Sequence, residues 1–473
     1  MNIYTVITEE NRGYTGIAVT ENDRSYSYPE LFADVEKTAA ELSARGIAPY
    51  DRCGFIADDS YHYIVYSLAI LKLNAAIIPL STRAVSTELD RMVQAVPMDW
   101  LIAENKYNPL RTEWLPLSND FHCQKLTGTA GEKTVPPLPE NQPPAFIRFS
   151  SGTTGDNKGV ILSHRSVLER TSACRGLKIE RGEHVLWVLD MAFHFVVTIL
   201  LFLRRGANIV ICGKPVERSM AQLMQQYPFT LLYATPYHYQ IMTMAADYTP
   251  EMFKQLKQAV STAMKLPQET GEAFRRKFGI PLNQAYGIIE IGLPCINQMD
   301  ADKMDSVGRL QDAYEVRIDN ADSNGIGEIL IRGPGMFDAY LSPFRLREDV
   351  CRDGYFVTGD LGYLDPERYL FIAGRSKNVI IFAGMKIFPY EVEDILLQHQ
   401  AVADVCVYGI KTAGWGEFPS AKIVLKQGYT ESPELIRELR SFCYGKMSEY
   451  KVPKNFEFIE KLQKTASGKI IRK

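Results

Sequence analysis

Paired cysteines are absent: the eight cysteines (Cys53, Cys123, Cys174, Cys212, Cys295, Cys351, Cys406 and Cys443) are scattered with no CxxC spacing. This argues against a zinc site or a disulfide framework and predicts a reduced, cytoplasmic protein. Net charge is also scarce, with 53 basic against 56 acidic residues and a balance of −3. No global positive field is available to hold nucleic acid or an anionic membrane surface, so neither is expected as a partner. Long apolar runs are missing. The most apolar stretch, Met191 to Leu203, contains His194 and ends at Arg204-Arg205. It falls well short of the ~20 residues that cross a bilayer and predicts a buried helix, not a membrane span. The opening residues, MNIYTVITEENRGYTG, have neither the basic start nor the apolar core of a signal peptide, so no export is expected.

What remains is an ordinary globular composition, 46% hydrophobic and 23% charged over 473 residues. At roughly 100–200 residues per domain, two or three packed units are expected. From Ser27 to about Leu101, helical stretches such as YPELFADVEKTAAELSARG alternate with short apolar runs such as CGFIA and AAIIPL, the pattern of parallel βαβ units. Leu31, Val35 and Ala39 share one helical face, and Gly46 marks its end. The Pro- and Gly-rich stretch from Thr127 to Pro144 predicts an exposed connection. A second alternating block runs from Phe146 to about Tyr286, with strands at VLWVL, NIVIC and FTLLYA. Short Gly-punctuated strands from Ser306 to Asp365 predict a small β-rich unit. After Arg375, a strand (NVIIF), a helix from about Pro389, two strands, a second helix and a basic tail predict a compact α+β unit. No internal repeat or low-complexity segment is present. The expected fold is α/β: a large N-terminal body of two α/β subdomains with parallel sheets and a small β-rich subdomain, followed by a small α+β C-terminal domain.

The strongest local signal is Phe149-Ser150-Ser151-Gly152-Thr153-Thr154-Gly155-Asp156-Asn157-Lys158-Gly159, between the apolar runs AFIRF and VIL. Small hydroxylated residues beside glycines let backbone N–H and side-chain O–H groups wrap an anion, and Lys158 adds a positive charge. The spacing differs from GxxxxGK[ST], so it is not a P-loop. By composition alone it reads as a phosphate cradle or a flexible Ser/Thr/Gly turn.

This segment resembles the phosphate-loop signature of the adenylate-forming superfamily, which comprises acyl-CoA synthetases, peptide-synthetase adenylation domains and luciferases. Further motifs follow in order: Tyr286-Gly287-Ile288-Ile289-Glu290, Tyr355-Phe356-Val357-Thr358-Gly359-Asp360, Gly374-Arg375-Ser376-Lys377 with Gly384 and Glu391-Val392-Glu393, and the terminus Lys464 to Lys473. Nearly the whole chain is covered, and the likeness is greatest to a stand-alone acyl- or aryl-CoA ligase.

The resemblance implies a role for each match. Ser150, Ser151, Gly152, Thr153, Thr154, Gly155 and Lys158 would cradle phosphate, with Tyr286 and Gly287 alongside. Glu290 would ligate magnesium, a hard cation that shares its shell with nucleotide phosphates. Asp360 would accept from the ribose hydroxyls and Arg375 would donate to the same sugar. Lys469 would be the catalytic lysine that bridges the carboxylate and the α-phosphate. Lys377 would be the hinge between residues 1–374, an AMP-binding domain, and residues 378–473, a lid. Ala383 and Gly384 would line the thiol's path in the second half-reaction. Phe193 and His194 would close over the acyl pocket, with His194 among the catalytic residues, and Tyr233, Ala234, Thr235, Pro236, Ile288, Ile289 and Gly292 would line it. Amino-acid-activating relatives place an Asp where His194 stands, so a free α-amino acid is disfavoured.

Three departures stand out: Ile289 in place of a phosphate-contacting Thr, Asn157 in place of a loop Pro, and Val260 to Pro267 in place of an SGGAPL-like strand. They predict a weakened nucleotide contact and keep open a catalytically inactive nucleotide or acyl-adenylate binder. The expected activity is ATP-dependent activation of an apolar carboxylic acid, aryl or medium-chain fatty, as acyl-AMP with release of pyrophosphate. Transfer to coenzyme A follows. A separate acyl carrier protein bearing phosphopantetheine is the alternative acceptor, and an oxidative luciferase-like enzyme is a further alternative. ATP, Mg2+ and coenzyme A are the cofactors expected.

Overall fold

The computed structural model describes the chain except for residues 83–96, 108–113, 127–136, 150–158, 298–302, 383–384, 413–415, 465–469 and 473. Among the described residues, local signals act where the sequence places them. Helix Tyr28–Ala44 begins with a reciprocal cap: the Glu30 N–H donates to Ser27 Oγ while the Ser27 N–H donates to the Glu30 carboxylate at 2.7 Å, with Pro29 in the first turn. Leu31, Val35 and Ala39 form its buried face, and Gly46 at φ +101 turns the chain out of it.

One mixed sheet centres on four parallel strands, Pro144–Phe149, Ala76–Pro79, Arg52–Ile56 and Trp100–Glu104. A second carries Leu282–Ile288, Gln258–Ser261, Phe229–Ala234, His184–Trp187, Asn208–Ile211 and Ile17–Glu21 as consecutive parallel neighbours. A four-stranded antiparallel sheet spans Glu315–Asp319, Gly327–Arg332, Phe356–Leu364 and Leu370–Arg375. From Ile380 onward a separate sheet packs against helices Pro389–Leu397 and Pro433–Tyr444 around its own core of Val392, Leu396, Val405, Val407, Ile423 and Leu439.

Sheet membership cuts across the blocks read from the sequence. Strand Ile17–Glu21, at the start of the chain, pairs with Asn208–Ile211, whereas Pro144–Phe149 and Gly159–Ser163, at the head of the second block, join the first sheet. Likewise Ala339–Leu341, inside the β-rich stretch, pairs with Gly159–Ser163. Alternation reports that a strand is buried; partner choice depends on distant residues and leaves no local mark. The helix expected at 191–203 forms with one difference. Its middle, Phe195–Ile199, is a π-helical turn between the α-helical ends Met191–His194 and Leu200–Arg204, and Thr198 Oγ1 donates to the His194 carbonyl at 2.6 Å. Such insertions are frequent at functional sites.

Candidate active site

Four neighbouring parallel strands of the second sheet deliver their C-terminal ends to one edge. Trp187 leads to Asp190–His194, Ala234 to Thr235 and Pro236, Ser261 to Thr262–Lys265, and Ile288 to Glu290. Open parallel sheets bind ligands at this edge. The sequence-predicted residues Phe193, His194, Tyr233, Ala234, Thr235, Pro236, Tyr286, Gly287, Ile288, Ile289, Glu290 and Gly292 all belong to these strands or their ends, separated in sequence by up to about a hundred residues. Gly287 is obligatory by geometry, since a Cβ there would lie 2.5 Å from the Gly292 carbonyl oxygen, and Gly292 itself has φ +98.

On one side of this edge the polar atoms are closely paired. Asp360 and Arg375 lie directly opposite one another on adjacent antiparallel strands, and Arg375 Nε sits 2.6 Å from Asp360 Oδ1. Tyr286 Oη donates to Asp360 Oδ2, also at 2.6 Å, bridging the parallel sheet to the β-rich one. The Asp360 N–H donates to Thr358 Oγ1 at 3.0 Å, and that hydroxyl donates to the Ile329 carbonyl at 2.8 Å. Burial and the adjacent Asp360 carboxylate push the Tyr286 phenol well above its ordinary value, so it remains a donor. Glu290 lies beyond the end of the same strand, its Oε1 accepting from Tyr340 Oη at 3.0 Å. Arg170 braces this turn: Nε and Nη2 donate to the Gly335 carbonyl at 2.9 and 2.5 Å, and Nη1 to the Ile289 carbonyl at 3.1 Å. The Ile289 side chain packs partly buried against the main core.

On the other side stand Phe193 and His194, both partly buried. The sequence reading missed the residue that faces them. Arg148, on Pro144–Phe149, donates from Nη1 to the Phe193 carbonyl, and its guanidinium lies 5.5 Å from the Phe193 ring centroid. Burial lowers its pKa to about 10. The available signal was a cation inside an apolar strand that ends at the glycine-rich loop. Other predicted pocket residues face inward: Tyr233 is 2% exposed and gives its hydroxyl to Thr262 Oγ1 at 3.0 Å, while Thr235 Oγ1 and His238 Nδ1 pair at 2.9 Å where helix Pro236–Met244 begins.

Lys377 occupies a short 3-10 turn, Ser376–Asn378, between strands Leu370–Arg375 and Ile380–Phe382; burial and the neighbouring Arg375 draw its ammonium pKa down. Lys265 Nζ reaches Asp394 Oδ2 on helix Pro389–Leu397 at 2.5 Å, joining the parallel-sheet edge to the C-terminal unit. In that unit Arg472 makes a two-pronged pair with buried Glu393 and donates to the Val407 carbonyl at 2.7 Å. Ser150, Ser151, Gly152, Thr153, Thr154, Gly155, Lys158, Ala383, Gly384 and Lys469 lie outside the described residues. Among the described residues, no cluster of three or more His, Cys, Asp or Glu could hold a metal, and no helix is long and apolar enough to cross a membrane.

Comparison with known proteins places this geometry. The long-chain-fatty-acid–CoA ligase of Bacillus subtilis is 29% identical over 72% of this chain and 62% of its own length. Indoleacetate–CoA ligase of Aromatoleum aromaticum is 28% identical over 97% of this chain and 94% of its own. The fatty acid–acyl-carrier-protein ligase ScoC of Streptomyces coeruleorubidus is 26% identical over 96% and 92%. The crystal structure of the ATP-bound RpMatB-BxBclM chimera B1 shares the fold, with a TM-score of 0.86 at 22% identity over 99% of this chain and 97% of that one. Residues 9–341 match the AMP-binding enzyme family and residues 391–469 its C-terminal domain, so the chain belongs to the AMP-binding enzyme family.

Proposed function

We propose that this enzyme is an ATP-dependent acid–thiol ligase. A carboxylate oxygen attacks the α-phosphorus of ATP, the bond to the β-phosphate breaks, and acyl-AMP and pyrophosphate form. A thiolate then attacks the acyl carbon and AMP leaves. The observation that carries this reading is the Tyr286–Asp360–Arg375 arrangement at the same sheet edge as Glu290 and the Phe193–His194 helix. A carboxylate offers about four acceptor positions, so Asp360 can serve its protein donors and a ribose together. Glu290 fits magnesium: its carboxylate is a hard oxygen donor, and a lone carboxylate completed by phosphate oxygens is a usual magnesium shell. Magnesium supplies charge neutralisation on the phosphates. The glycine-rich residues 150–158 hold the phosphates, and Lys469 stabilises the carboxylate as it closes on the α-phosphate.

In this reading residues 1–374 form the AMP-binding domain and 378–473 the lid, which pivots about Lys377 to bring Ala383 and Gly384 to the thiol's path. The acid is apolar, aryl or medium-chain fatty, in keeping with the fatty-acid and indoleacetate relatives, and coenzyme A is the acceptor. ScoC supports a carrier protein as the second reading. The test is pyrophosphate release across aromatic and C4–C16 acids, with coenzyme A, with a phosphopantetheinylated carrier protein, or with neither. Acid-dependent release with thioester formed only on adding thiol is expected. Silence with every acid points to an inactive binder, and oxygen uptake to an oxidase.

A further inference from the structure

Among the described residues, three buried or half-buried arginines are generously paired. Arg170 uses Nε, Nη1 and Nη2 on two carbonyls, Arg205 donates to the carbonyls of Leu177 and Cys174, and Arg472 combines Glu393 with the Val407 carbonyl. Arg148 is different. Among the described residues its guanidinium makes one hydrogen bond, to the Phe193 carbonyl, and no carboxylate lies within ion-pair distance of it. Asp190, Glu290 and Tyr63 are near enough to favour its charge but do not hydrogen-bond it. A guanidinium carries five N–H donors in a planar fork, and leaving most of them unmet in a partly buried site is costly. The fork matches a carboxylate, which can take two parallel bonds.

Position narrows the ligand. Arg148 lies two residues before the glycine-rich sequence 150–158, and its head group touches the helix that bears Phe193 and His194 rather than the Tyr286–Asp360–Arg375 side. We propose that Arg148 is the receptor for a carboxylate of the acid substrate. This deepens the ligase reading and rests on it. The carboxylate has two sources: the reacting group of a monoacid, held beside the phosphates before attack, or the second carboxylate of a diacid. In the first case Arg148 positions the nucleophile, and in the second it sets specificity.

Matched probes separate these sources. Purified full chain and its Arg148→Gln and Arg148→Lys variants are assayed for pyrophosphate release with benzoate against phthalate and hexanoate against adipate. Arg148→Gln is expected to raise the acid KM at least tenfold while the ATP KM stays within twofold, with partial recovery in Arg148→Lys, which keeps the charge but loses the fork. A loss shared by both members of a pair assigns the reacting carboxylate, and a loss confined to the diacid assigns the second; both support the proposal. A raised ATP KM with an unchanged acid KM makes Arg148 a phosphate contact and overturns it. So does a fall in kcat with both KM values unmoved, the mark of a purely structural role. If Arg148→Gln does not fold, judged by a cooperative thermal transition, Arg148→Lys decides by the same split. A wild type silent with these four and with every other aromatic and C4–C16 acid overturns the ligase reading together with this one, whereas an active wild type with an unmoved acid KM overturns this one alone.

Discussion

The two flanks of the sheet edge are built on opposite principles. On the Tyr286–Asp360–Arg375 flank, donors and acceptors are matched before any ligand arrives, and Thr358 and Arg170 fix the backbone around them. On the Arg148–Phe193–His194 flank a half-buried cation has a single hydrogen bond to the described residues. Both Arg148 and Arg170 are drawn down to a pKa of about 10 by burial, so burial alone does not distinguish them. The difference lies in partners. A polar group whose donors are all met stabilises one conformation, whereas one with donors left over is free to take a group from outside the chain.

The largest expected effect falls on the step that joins the flanks. Lys469→Ala should slow adenylation by about 10²–10³-fold, the scale of losing a placed charge at a transition state, while thioester formation from supplied acyl-AMP stays near wild type. Single-turnover measurement of each half-reaction checks this, and equal loss in both would remove the division of labour. Next comes the paired flank. Asp360→Asn strips the charge opposite Arg375 and should cost about 2–3 kcal/mol, roughly 30- to 150-fold in kcat/KM for ATP, with the acid KM unmoved. Steady-state kinetics with each substrate varied in turn would blur the contrast between flanks if the acid KM rose as well.

A smaller effect concerns the start of helix Met191–His194. Asp59 Oδ1 accepts the Met191 N–H at 2.8 Å, and burial, then the like charge of Asp190, push the Asp59 carboxyl up to about 7. Because the folded value lies above the unfolded one, the associated stability is present at low pH and is lost as pH rises from about 4 through 7. Asp59 is only partly buried, so the loss should be on the order of 1–2 kcal/mol, and Asp59→Asn should flatten it. Denaturant titrations from pH 4 to 8 decide the matter; a slope unchanged in the variant would assign it elsewhere. Smallest is the pair Lys265–Asp394, whose side chains are 29% and 34% exposed. Lys265→Ala should cost under about 1 kcal/mol and shift the ratio of the two half-reaction rates less than about fivefold, an effect that fades with added salt.

Legibility followed the range of the interaction. The apolar face of Leu31, Val35 and Ala39, the turn at Gly46, the buried helix around Leu200 and the order of elements after Ile380 all rest on residues within one or two turns of each other, and all could be read along the chain. Asp360 and Arg375 were legible as motif members, although their pairing across adjacent strands was not. Arg148 was missed because a string of residues does not state which face of a strand meets which helix. The expectation of an apolar acid left out the cation nearest Phe193.

Periodicity and glycine placement were sufficient to specify an α/β body and a small α+β unit, because each depends on side-chain type at short separation, and the resemblance carried by the ordered motifs added the chemistry class. Three matters were settled only by folding: the exchange of Ile17–Glu21 and Pro144–Phe149 between sheets, the closure of Tyr286 onto Asp360, and the isolation of Arg148 beside Phe193. Each depends on which distant segments become neighbours. That choice is made by the summed burial of whole sheet faces, so no single residue carries it.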